Sequence, residues 1–192
     1  MSTGLAQIIQ LVFHLATYLL VLRLLLHFSK ADYFNPITQG VVKATNPVIL
    51  PLQTFLRPAG RLDPASLVLA FLVKTTGIYL AITVMGASAG VGSLVIGGFT
   101  GVLKAILDVY FFALIISIIL SWVAPQANHP GALLVYQLTE PLMAPVRRFI
   151  PSLGGLDLSP IFVFLGIHLA RLVLILPLAQ AAGWPVAQFI GI

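Results

Sequence analysis

The sequence predicts an all-α membrane protein: four transmembrane helices arranged as two parallel helix-loop-helix repeats, with interfacial helices in the connections. Three observations carry that prediction. Hydrophobic residues make up 59% of the chain and charged residues only 8%, with a mean hydropathy of +1.07, whereas a soluble domain carries about 25% charged residues. Four apolar runs, at residues 5 to 28, 66 to 86, 99 to 123 and 160 to 180, each reach the ~20 residues needed to cross ~30 Å of hydrocarbon at ~1.5 Å per residue. Finally, the chain repeats itself at a gapless offset of 94 residues.

The first run reads as a retained span and not a secretory signal, because no basic segment precedes it, Arg23 stands near its end and no small-residue cleavage site follows. Arg23 itself reads as an anchor snorkelling to the membrane edge. The second run starts at Asp63-Pro64-Ala65-Ser66, with Asp63 or Ser66 as N-cap, and the fourth at Asp157-Leu158-Ser159-Pro160, with Ser159 ahead of a proline suited to the first helical position. Between spans two and three, residues 86 to 101 are apolar and glycine-rich. They read as an uncharged connection at the membrane surface, the other reading being helix pairing through Gly86 and Gly90 or Gly97 and Gly101.

Six of the ten Lys and Arg residues, Lys30, Lys43, Arg57, Arg61, Arg147 and Arg148, fall in the two long connections, and none in the termini or the glycine-rich segment. By the positive-inside rule the connections face the cytoplasm and the termini face out. The net charge of +5 therefore points to anionic lipid headgroups as a partner. Nucleic acid is not expected, since no basic helix face or RNA-type aromatic motif is present.

The repeat is clearest in the connections. Pro36, Val41, Thr45, Pro47, Pro51, Phe55, Gly60, Leu62 and Asp63 recur as Pro130, Val135, Thr139, Pro141, Pro145, Phe149, Gly154, Leu156 and Asp157. We divide the chain at 1–94 and 95–192, and because each copy crosses twice, both enter from the same side. Each connection predicts a short helix (Pro36 to Thr45, Pro130 to Thr139) lying on the bilayer through apolar residues such as Val41 or Leu138. A segment broken by prolines should follow. Basic and aromatic residues follow it, and Arg57, Arg61, Arg147, Arg148 and Phe149, with Glu140 at the start of the second proline segment, are the candidate lipid or partner contacts. A membrane-protein partner would bind there, and a homo-oligomer is a separate expectation.

Ionisable residues inside spans are costly and by default functional candidates. Counted from the connection ends of the helices, Asp108 lies ~21 Å in, Arg171 ~17 Å, and His168 and Lys74 ~12 Å. The repeat aligns His14 with Asp108 and Lys74 with His168. A polar seam of His14, Lys74, Asp108, His168 and Arg171 follows, with Arg171 sharing a face with His168 and serving as counter-ion to Asp108. Lys104, ~27 Å in, should snorkel outward. The seam is either a path for ions or protons or a set of paired charges holding the hairpins together. No nucleophile elbow, zinc-protease, phosphate-loop or paired-carboxylate motif occurs, and cysteine is absent; catalysis, a cofactor and a metal are not expected.

The string Leu138-Thr139-Glu140-Pro141-Leu142-Met143-Ala144-Pro145-Val146-Arg147-Arg148-Phe149-Ile150-Pro151, with Gly154-Gly155-Leu156-Asp157-Leu158-Ser159-Pro160 after it and Ile118-Ile119-Leu120-Ser121-Trp122 before it, resembles the signature of the YggT family. That resemblance covers nearly the whole chain. It implies a multi-pass bacterial membrane protein, with relatives implicated in osmotic tolerance and ion movement, and YlmG-type relatives in division, nucleoid distribution or cytochrome assembly. Copy one departs from the signature, with Leu52-Gln53-Thr54 in place of Leu-Arg-Arg and His27-Phe28 in place of Ser121-Trp122; conversely Arg23 keeps a basic residue that copy two replaces with Ser117. The expected function is that of a non-enzymatic membrane protein organising or supporting a membrane process such as osmotic tolerance, the alternative being an ion or proton transporter.

Overall fold

The computed structural model describes residues 2–123, 129–149 and 157–191. Among them the chain forms α1 (Ser2–Phe28), α2 (Pro36–Gln53), α3 (Pro64–Val84), α4 (Val91–Val123), α5 (Pro130–Phe149), α6 (Ser159–Ala170), a π-helical turn (Arg171–Ile175), α7 (Leu176–Ala182) and α8 (Val186–Ile190), with no strand. Four helical stretches are long and apolar enough to cross a membrane: Thr3–Phe28, Pro64–Val84, Val91–Val123 and Ser159–Ala182. The protein is thus a four-span helical membrane protein. α2 and α5 mark its connection end, and α8 and the turn after α3 its opposite, terminal end.

α4 is the central element, packing on α1, α3, α5, α6, α7 and α8. Its start corrects the reading of residues 86 to 101 as a connection: only Gly86 to Gly90 turn the chain, and helix begins at Val91. The glycines are helical because they serve close packing. A Cβ on Gly98 would collide with Thr75 and Phe71, one on Gly101 with the Lys74 stem, and one on Gly97 with Val186. Small residues on one helix face let backbones approach, which in lipid substitutes for the missing hydrophobic drive between helices. Gly101→Val should therefore push α3 off α4 and displace Lys74, costing about 1–3 kcal/mol of overpacking. A lowered melting temperature in detergent would register it.

The fourth span is the least buried of the four and packs on α4 and α5. Pro177 cannot donate to the carbonyl four residues back, and the amide of Leu176 bonds instead to the carbonyl of Arg171, widening this turn to π geometry. After Gly183, α8 folds back into a second apolar cluster in which Val186, Phe189 and Ile190 pack on Ile78 and Ile82 of α3. α8 is absent from the sequence reading.

The connection helices depart from expectation in two ways. Both run through their prolines, Pro47 and Pro51 in α2 and Pro141 and Pro145 in α5, where a broken segment was predicted. In α2 the two prolines lie four residues apart on an exposed face, so the carbonyls they leave unbonded face outward and the inward ladder survives. Their apolar stripes, Val41 and Ile49 or Leu134, Leu138 and Met143, join the main core of the spans rather than lying on lipid. Asn35 caps α2 by accepting from the Ile37 amide (3.0 Å) and donates to the Pro130 carbonyl (2.7 Å), joining the two connections. Asp63 caps α3 as expected. At α6 the N-cap position is Leu158 and Ser159 is already helical; Asp157, one residue earlier, accepts the Ser159 amide on its Oδ1 at 2.9 Å. The repeat partners Gly154 and Leu156 lie outside the described residues.

Candidate functional site

Ionisable side chains of α1, α3, α4 and the π turn meet near the middle of the spans. Asp108 on α4 is 6% exposed. Its Oδ2 accepts from the Tyr18 hydroxyl at 2.5 Å and from Lys104 Nζ at 2.6 Å, and its Oδ1 from Arg171 Nη2 at 2.8 Å. Carboxylates in lipid persist when paired and hydrogen-bonded, and here three donors from α1, α4 and the π turn do both. Arg171 also stacks over the Phe111 ring at 5.0 Å, a cation–π contact that shields its outer side. Beside this cluster Lys104, Asp108, Arg171, Ile175 and Gly191 enclose a cavity of about 350 Å³.

Lys74 of α3, 2% exposed, is held differently. Its ammonium bonds to His14 Nε2 and to the carbonyls of Phe189 (2.9 Å) and Ile190 (3.4 Å) in α8. Unbonded carbonyls at a helix C-terminus carry partial negative charge, so α8 supplies two acceptors for the ammonium beside the His14 ring. His14 and Tyr18 stand four residues apart on α1 and link the two sub-clusters.

The seam predicted from sequence is thus assembled in four of its five members, His14, Lys74, Asp108 and Arg171. His168 is not part of it. The buried positions of the fourth span are Ser159, Val163, Ile167, Ile175, Ala179 and Ala182; Arg171 falls in the four-residue spacing of this stripe and His168, one residue off, does not, and His168 is exposed. Lys104 pairs with Asp108 instead of snorkelling away. Tyr18 and the α8 carbonyls are additions; the four-residue spacing from His14 was the one available signal for Tyr18.

At the connection end, Arg23 is 8% exposed and no membrane-edge anchor. Its Nη1 donates to the hydroxyl of Thr45 (2.7 Å), the side-chain oxygen of Asn46 (2.8 Å) and the carbonyl of Val42 (3.3 Å), and its Nε lies 3.8 Å from Asp63 Oδ2. Asp63 further accepts from Ser66 Oγ at 2.6 Å and Gln53 Nε2 at 3.3 Å. α1, α2 and α3 are pinned together there. In the second copy Arg147 bridges Glu140 (3.0 Å) and Asp157 (2.9 Å). Burial alone would raise the Asp157 carboxyl, but hydrogen bonds from Ser159 and the Arg147 guanidinium hold it below the ordinary carboxylate value. Of the candidate contacts, Glu140 and Arg147 are engaged in this triad, while Arg57, Arg61, Arg148 and Phe149 are exposed.

Two stretches, residues 2–84 and 96–178, each match the model of the CCB3/YggT family. The chain belongs to the CCB3/YggT family. The internal repeat is therefore a repeat of the CCB3/YggT unit, and the clusters described above lie within its two copies, the α8 carbonyls excepted. Among similar proteins, an uncharacterized protein of Pseudomonas aeruginosa is 43% identical over 96% of this chain and 95% of its own length. One of Vibrio alginolyticus is 36% identical over 85% and 89%, and the uncharacterized protein YggT of Escherichia coli K12 is 32% identical over 84% of each. No solved structure matches the chain.

Proposed function

We propose that this CCB3/YggT protein is a non-enzymatic scaffold of the bacterial inner membrane, its connections in the cytoplasm and its termini outside, supporting a process such as osmotic adaptation through its connection end. One contrast supports this reading. The buried charges of the spans are closed upon one another, Asp108 on three donors and Lys74 on His14 and two carbonyls. Arg57, Arg61 and Arg148, which make no ion pair among the described residues, lie at the connection end with the exposed Phe55 (89%) and Phe149 (86%). Basic residues with aromatic neighbours suit anionic headgroups and a partner held beside them.

Replacing Arg57, Arg61 and Arg148 together with Ala tests it, since none belongs to the ion clusters. Growth under osmotic upshift should fail at unchanged protein level; growth equal to the parent's would overturn the reading. A reporter active only in the cytoplasm should stay silent at the C-terminus, and a strong signal would reverse the orientation. Ion or proton transport is favoured by one feature, the 350 Å³ cavity beside Asp108. Proteoliposomes of the parent protein showing no flux above empty vesicles, in potassium or in a proton gradient, would retire it.

A further inference from the structure

The two repeats place the same backbone and different charges at one point. In the first, the Arg23 guanidinium rests on Thr45 and Asn46 and faces Asp63. Advanced by the repeat offset of 94 residues, those four positions are Ser117, Thr139, Glu140 and Asp157. All four line a cavity of about 440 Å³ between α4, α5 and the start of α6, at the connection end. The Ser117 hydroxyl turns back onto the carbonyl of Leu114 at 3.0 Å and contributes no charge. Arg147, at the position of Gln53, reaches Glu140 and Asp157 from a side chain that is 47% exposed.

Charge balance separates the copies. Arg23 against Asp63 is neutral, whereas Arg147 against Glu140 and Asp157 leaves one negative charge. The matching cavity of the first copy, about 390 Å³, carries Arg23 and Lys30 against Asp63 and so has the opposite sign. Two acidic side chains alone would not define a site. The independent observation is that the equivalent positions in this same molecule already hold a guanidinium, in hydrogen-bond contact with the counterparts of Thr139 and Glu140.

We propose that the cavity between α4, α5 and α6 binds a small organic cation with a guanidinium or primary ammonium head on an apolar body, the head meeting Glu140 and Asp157 where the first repeat places Arg23. Ile118, Trp122, Met143 and Ile161 make much of the remaining wall apolar and suit an alkyl or aryl body rather than a hydrated metal ion. The volume lies within the ~300–1,000 Å³ usual for small-molecule sites. Planar guanidinium recognition by carboxylate is favoured by paired hydrogen bonds.

The test uses the full-length protein in an uncharged detergent, with butylguanidinium as probe and its neutral isostere butylurea as control, read by calorimetry. Butylguanidinium should bind at least tenfold tighter than butylurea, and Glu140→Gln should lower its affinity at least tenfold. Ser117→Arg, which restores the guanidinium of the first copy, should abolish binding and raise the melting temperature. If that variant does not fold, Glu140→Gln decides alone, because Glu140 is an exposed side chain outside the helix caps. Equal binding of the two probes, or butylguanidinium binding unchanged by Glu140→Gln, would overturn the proposal.

Discussion

Asp108→Asn should destabilise the protein by about 3 kcal/mol, the low end of the range for removing one partner of a buried ion pair. The asparagine keeps an acceptor but removes the charge facing both Lys104 and Arg171. The low end applies because the Lys104 and Arg171 side chains keep 19% and 36% exposure, so each can find water or headgroups once released. Arg171→Gln should cost less, since Tyr18 and Lys104 remain on the carboxylate. Melting of both variants in detergent, beside flux through the parent protein, separates the two readings of the seam. A structural cluster loses stability with no flux to lose. A conducting one loses flux in variants that still fold.

Arg23→Ala should be similarly costly, again about 3 kcal/mol, for a different reason. Asp63 is 2% exposed and would keep Ser66 and Gln53 as donors but no cation. Thr45 and Asn46 would each lose a donor, and the arginine stem would leave a void between α1 and α2. Arg23→Lys should recover part of the loss, because an ammonium supplies the charge but not the fork that reaches Thr45, Asn46 and Asp63 at once. Thermal melts of the parent and both variants, with the lysine variant falling between the others, would show it. Equal melts for all three would mean that the cluster does not hold α1 to α2 and α3.

The spans were legible because twenty apolar residues in a row have few alternatives, and Asp108 with Arg171 because depth along a helix can be counted. The errors share a physical cause: depth does not give azimuth. His168 and Arg171 were placed on one face, yet the stripe through Val163, Ile167 and Ile175 takes Arg171 and leaves His168 to the lipid side. Lys104 was assigned to the edge by depth when its four-residue spacing placed it on Asp108. The partners of Lys74 were beyond reach, because a backbone carbonyl 115 residues away carries no residue-type signal. Glycines at 97, 98 and 101 look alike as turn formers and as packing surface, and only the neighbour against them decides.

The π turn at Arg171–Ile175 has a consequence for the ancestry of the chain. The extra residue within this turn advances every later side chain by about 100° around the axis, a rotation that α3, α-helical throughout, does not share. The two family matches, residues 2–84 and 96–178, are equal in length and keep the 94-residue offset through the turn, so the sequence repeat continues where the side-chain phase departs. At the connection end the duplicated halves keep a common frame in which one copy can be read against the other. At the terminal end that equivalence lapses: α3 passes into a glycine turn, while α7 gives way to α8 and its grip on Lys74. The two halves thus share an aspartate at the start of the second helix of each hairpin on one side of the bilayer and differ on the other, where only the second continues into α8.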